Sequence, residues 1–163
     1  MKRIVYMVLR NIILVPFMWV RLCYHASHVD KYTEEEHFKM LEFIVHRANK
    51  GGNVTIDVHG SENIPPENGF MFFPNHQGLY DVLAILEACP RPFSFVAKKE
   101  VAHIQFLKQV FACMKAYTLD SEDVRQAMKV ITDVSREVMN GRNYIIFAEG
   151  TRSAGNKNRF VIQ

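Results

Sequence analysis

His76 and Asp81 lie five positions apart in the segment Phe72-Phe73-Pro74-Asn75-His76-Gln77-Gly78-Leu79-Tyr80-Asp81. On a regular helix the two side chains would point about 140° apart, so they meet only if His76 precedes the helix and Asp81 falls in its opening turns. Pro74 and Gly78 permit that geometry. A carboxylate that accepts from one ring nitrogen fixes the tautomer and leaves the other nitrogen as a general base for a hydroxyl. The spacing alone is weak, because His25 and Asp30 repeat it. That second pair follows an apolar stretch and has no strand before it, so His25 is expected at an interface or in solvent. For His76 taken alone, a helix-start histidine satisfied by a nearby acid is an equal reading.

The segment Tyr144-Ile145-Ile146-Phe147-Ala148-Glu149-Gly150-Thr151-Arg152-Ser153 changes the balance. A buried-type strand runs straight into a polar loop with an acid, a glycine, hydroxyls and an arginine, the equipment for holding an anion beside a reaction centre. The competing reading is that Glu149 and Arg152 only pair across a turn.

These segments need a scaffold that brings strand ends together. Short apolar runs at 70–73, 93–97, 116–119 and 144–147 alternate with helical patterns at 80–88, 101–114 and 121–139. Such alternation predicts βαβ units, an α/β fold with an open mixed, mainly parallel sheet and covering helices, and ligands beyond the carboxyl ends of the strands. Val54, Ile56 and Val58 alternate with polar residues and predict one more, half-buried strand. Upstream, Thr33 and Glu36 form a capping box opening an amphipathic helix that Gly51 and Gly52 are expected to stop.

Residues 4–20 are almost wholly apolar, interrupted by Arg10 and Asn11, with Pro16 expected to kink a helix. Arg3, Arg10 and Arg21 fall on one stripe of a helical wheel, the pattern of a helix lying in a membrane interface. A kinked spanning helix, a buried core helix and a signal peptide are the alternatives. The expected organisation is therefore residues 1–52 as a membrane-associated helix pair and 53–163 as the α/β domain, with the whole at the cytoplasmic face of a membrane.

With 163 residues, 48% hydrophobic and 23% charged, the chain is neither disordered nor a fibrous repeat. The net charge of +3 is mild, but both ends are basic, which suits an anionic surface better than nucleic acid. Cys23, Cys89 and Cys113 are odd in number and widely spaced, so neither a disulfide framework nor a zinc site is supported. A hydrolase metal site on His76, Asp81 and Glu149 would lack a second histidine at ligand spacing.

Together, Asn75-His76-x4-Asp81 and Glu149-Gly150-Thr151-Arg152 resemble the 1-acylglycerol-3-phosphate acyltransferase family, whose blocks are Asn-His-x4-Asp and Phe-Pro-Glu-Gly-Thr-Arg. The resemblance covers the chain from about Val54 to Phe160, with Ala148 where proline is usual. It implies acyl transfer from coenzyme A or acyl carrier protein to the hydroxyl of a lysophosphatidate, with His76 as base and Asp81 orienting it. Asn75 would steady the thioester oxyanion, and Glu149 to Arg152 would bind the acceptor. No metal or cofactor is implied beyond the acyl donor. The family's middle block usually ends Ile-Asp-Arg and here reads Leu119-Asp120-Ser121, so Arg125, Lys98, Lys99 or Arg152 would have to hold the phosphate. The family also continues through a further strand and closing helices after the third block, so the resemblance implies either a truncated product or an incomplete gene model at Gln163. The alternative functions are a non-catalytic membrane-surface module that binds anionic lipid, and acylation of another lysolipid or of glycerol phosphate.

Overall fold

The computed structural model describes residues 2–75, 80–120 and 122–147. Among the described residues, six α-helices and four strands follow in the order α1 (Lys2–Arg10), α2 (Leu14–Ser27), α3 (Glu34–Gly52), β1 (Met71–Phe72), α4 (Tyr80–Ala88), β2 (Ser94–Lys98), α5 (Gln105–Met114), β3 (Tyr117–Leu119), α6 (Val124–Met139) and β4 (Tyr144–Ile146). The sheet runs β1-β4-β2-β3, and every pairing is parallel. The register sets Phe72 against Ile145 and Phe95 against Ile145 from the other side, so β4 is enclosed by β1 and β2.

Successive strand residues serve opposite faces, as the pleat requires. Phe95 and Ile145 join a core with Leu86 of α4, Val110 of α5, Phe38, Leu41 and Ile44 of α3, and Met18 and Leu22 of α2. Val96 and Tyr144 point the other way, onto Val130 and Val134 of α6. The result is three layers, with α2 and α3 sharing the same core as the sheet.

Four expectations need correction. The predicted strand at Val54, Ile56 and Val58 is extended chain without a strand partner among the described residues. Val54 and Ile56 are half-buried and their neighbours exposed, so the alternation there records one-sided burial without a ladder. Gly51 and Gly52 do not stop α3, because both lie within it, and Asn53 ends it in the left-handed region at φ 52°. They are the crossing point with α1. A Cβ on Gly51 would overlap the Asn11 amide and sit 3.2 Å from the Met7 carbonyl, and one on Gly52 would sit 2.7 Å from Met7 Cε.

The break in the N-terminal apolar segment is not at Pro16 but at residues 11–13, where α1 and α2 bend by 91°. Asn11 is buried there. Its Nδ2 donates to Met7 O at 2.8 Å and Arg47 O at 3.0 Å, and its own carbonyl accepts from Leu14 and Val15. Pro16 sits in the first turn of α2, where its missing N–H has no helical partner to lose. The bend also dissolves the expected arginine stripe, since Arg21 now lies on a different axis from Arg3 and Arg10. Arg10 donates to Gly51 O at 3.2 Å.

The fourth correction concerns His25, which is buried rather than exposed. A short turn at Val29–Lys31 returns the chain so that the first turn of α3 meets the last turn of α2. His25 then stacks on Tyr32 with ring centres 4.0 Å apart and faces His37.

Candidate active site

Parallel strands deliver their carboxyl ends to one edge, and three sequence-predicted segments leave from neighbouring strands at that edge. β1 runs into Pro74 and the exposed Asn75. β4, beside it, ends at Ile146 just before the Glu149 segment. β2, on the far side of β4, ends in the exposed Lys98. The order of the sheet thus places the carboxyl end of β4 between those of β1 and β2. His76, Glu149, Gly150, Thr151 and Arg152 themselves lie outside the described residues, as does Ser121.

Asp81 occupies the opening turn of α4 and is only 3% exposed. A carboxyl buried at the carboxyl-end edge of a sheet is where perturbed acids gather in functional sites, and also where structural pairs form. Tyr80 and Asp81 lie in the first described turn of α4.

The basic candidates separate. Lys99 Nζ pairs with Asp120 Oδ2 at 3.3 Å across the ends of β2 and β3. The Asp120 carboxyl is held below its usual range, first by the Glu122 backbone N–H and then by Lys99. Arg125 is exposed in the first turn of α6, whose start is fixed by Asp123 accepting from Gln126 N at 3.0 Å. Gln126 in turn donates to Thr118 O at 2.7 Å, tying the loop to β3. Lys98 and Arg125 therefore stand at the same end of the sheet.

Cys89 and Cys113 are buried, which disfavours their thiolates. Burial pushes Cys113 up to about 12 and raises Cys89 as well. Among the described residues there is no group of three or more His, Cys, Asp or Glu placed to hold a metal. The sequence reading missed a polar cluster between α3 and α4. Asn49 of α3 is 2% exposed and hydrogen-bonds both Tyr80 and Glu87 of α4.

Residues 55–161 match the family model for Acyltransferase. The chain belongs to the Acyltransferase family. Its relatives include a 1-acyl-sn-glycerol-3-phosphate acyltransferase of Borreliella burgdorferi, 30% identical over 65% of this chain and 42% of the relative. Another, of the same name from Pseudomonas aeruginosa, is 24% identical over 83% of this chain and 54% of the relative. The crystal structure of the 1-acyl-sn-glycerophosphate (LPA) acyltransferase PlsC from Thermotoga maritima superposes with a TM-score of 0.68 at 25% identity, covering 93% of this chain and 61% of that one. This Acyltransferase chain spans about half the length of the curated relatives it matches.

Proposed function

We propose that the protein transfers a fatty acyl group from a thioester, on coenzyme A or acyl carrier protein, to the free hydroxyl of a lysophosphatidate, yielding phosphatidate. The observation that carries this reading is Asp81, buried in the opening turn of α4 directly beyond β1, in a chain of the Acyltransferase family. In this reading His76 takes the hydroxyl proton as the oxygen attacks the thioester carbonyl, and Asp81 orients the ring and stabilises the imidazolium. The thiol of the donor leaves with the proton from His76. In the same reading Asn75 and backbone N–H groups near the start of α4 would steady the developing oxyanion. The thioester supplies the activation, so the reaction requires no bound metal or further cofactor.

Membrane attachment at the cytoplasmic face belongs to the same reading. Ile4, Ile12, Ile13, Phe17 and Val20 are exposed along α1, the bend and the outer side of α2, while Met18 and Leu22 on the inner side are buried. No single described helix is long and apolar enough to cross a membrane, and the bent pair Arg3–Arg10 and Leu14–Ser27 passes that test only together. An interfacial seat suits that shape.

The direct test is turnover of acyl-CoA and acyl carrier protein thioesters with lysophosphatidate. His76→Ala should lower it by roughly 10² to 10⁴, the usual span for a positioned base. Binding to lipid with no thioester consumed by the unmodified chain would instead support a non-catalytic lipid-binding module.

A further inference from the structure

Tyr80 and Glu87 are two helical turns apart on α4 and so share one face, the face that meets α3. A single buried side chain joins them. Tyr80 Oη donates to Asn49 Oδ1, and Asn49 Nδ2 donates to Glu87 Oε2. The polarity admits one arrangement: the carboxylate can only accept, so the amide nitrogen must face Glu87, and the amide oxygen then requires the phenol as donor. Burial, and after it the charge of Glu87, push the Tyr80 phenol above its ordinary range, which keeps it protonated. The other Glu87 oxygen lies 3.3 Å from His46 Nδ1 of α3.

Together with the packing of Leu86 against the α3 core, this two-point attachment holds one face of α4 against α3. Asp81 follows Tyr80 directly, about 100° further round the helix, so its direction is set by the same attachment. We propose that Tyr80, Asn49 and Glu87 are positioning residues for acyl transfer, a clamp that aims Asp81 by fixing the rotation of α4 against α3. The proposal rests on the reading of Asp81 as the group that orients His76.

A cycle of variants in the full chain tests it. Tyr80→Phe removes only the hydroxyl and should lower kcat by roughly threefold to tenfold, the worth of one net hydrogen bond. KM for lysophosphatidate should stay unchanged, and the acid limb of the kcat/KM profile should move to lower pH, because a misdirected Asp81 stabilises the imidazolium less. In an Asp81→Asn background, the same Tyr80→Phe change should cost less than about twofold, since residues that act through one another are not additive. Glu87→Gln keeps an acceptor for the Asn49 amide and should retain turnover, whereas Glu87→Ala should resemble Tyr80→Phe. Full additivity of Tyr80→Phe with Asp81→Asn, or a loss in Tyr80→Phe with an unmoved pH profile, would overturn the clamp while leaving the base mechanism intact. Full turnover by Asp81→Asn alone would overturn the mechanism and the clamp with it.

Discussion

His25 Nδ1 lies 3.3 Å from His37 Nδ1, a buried contact between two imidazoles that closes the turn from α2 to α3. The tautomers follow from the surroundings. His37 Nε2 is 3.2 Å from Val29 O, a carbonyl that can only accept, so this nitrogen carries the proton and Nδ1 of a neutral His37 is the acceptor. His25 therefore donates through Nδ1–H. A further proton on His37 Nδ1 would set two N–H groups against each other.

Acid should loosen this turn. His25 is held below its ordinary value of 6.5, chiefly by burial and then by His37 and Arg21, with Glu36 opposing. Above that value neither the folded nor the unfolded chain protonates it, and its contribution to stability is complete. As pH falls through 6.5 the unfolded chain takes up a proton that the folded chain resists, so stability declines until the lower folded-state value is passed. Thermal unfolding between roughly pH 7 and pH 5.5 should show a falling Tm. His25→Leu should flatten that slope, and an unchanged slope would remove His25 as its source.

The helices after residue 33 and four of the five expected strand positions were legible in the sequence because each rests on local periodicity, whereas the run from Val54 to Val58 has the alternation but no strand partner among the described residues. His25 was not. Its burial depends on α3 folding back across a turn, and nothing within the α2 sequence distinguishes a histidine facing solvent from one facing another histidine. Gly51 and Gly52 were ambiguous for the same reason, since a glycine pair near a helix end signals either a stop or a close crossing, and only the position of α1 decides. Within the candidate site the strand ends and Asp81 were foreseeable from the motif spacing. The Asn49 cluster was not, because it joins residues 31 and 38 positions apart by side-chain contacts alone.

The α1–α3 crossing makes a graded prediction. At Gly51 an added methyl meets the Asn11 amide, itself held by two carbonyls, and the Met7 backbone. At Gly52 it meets the flexible end of the Met7 side chain. Gly51→Ala should therefore cost about 1–3 kcal/mol of stability, the usual range for overpacking, and Gly52→Ala clearly less. Denaturant unfolding of the two variants measures the order, and the reverse order would contradict the crossing geometry.

The bend between α1 and α2 presents Ile13 88% exposed, so its side chain contributes little to the folded core. Ile13→Glu should leave Tm nearly unchanged. If the bend seats in a membrane interface, the same variant should bind anionic vesicles at least roughly tenfold more weakly, since burial of one isoleucine is worth about 1.5–3 kcal/mol. Binding of the unmodified chain should weaken with added salt, as Arg3, Arg10 and Arg21 are exposed and screened. Co-sedimentation of both variants across a salt series decides, and equal binding by Ile13→Glu would place the membrane surface elsewhere.

Recognition of the acceptor phosphate should divide unequally among the basic residues. Arg152 follows β4, which lies between the strands that deliver His76 and Lys98, and Ser121 stands where the family usually carries an arginine. Lys99 is already engaged by Asp120. Arg152→Ala should thus weaken kcat/KM for lysophosphatidate by roughly tenfold to somewhat over a hundredfold, matching about 1.5–3 kcal/mol for a charge-assisted contact. Arg152→Lys should recover only part of this, because a point charge does not reproduce the bidentate fork. Lys98→Ala should cost less than Arg152→Ala, and Lys99→Ala least, because the Lys99 charge is neutralised by its partner. Steady-state kinetics with lysophosphatidate and a matched monoacylglycerol separate the roles. Selective loss on the phosphorylated acceptor assigns Arg152 to the substrate, whereas equal losses on both would assign it to holding its own loop.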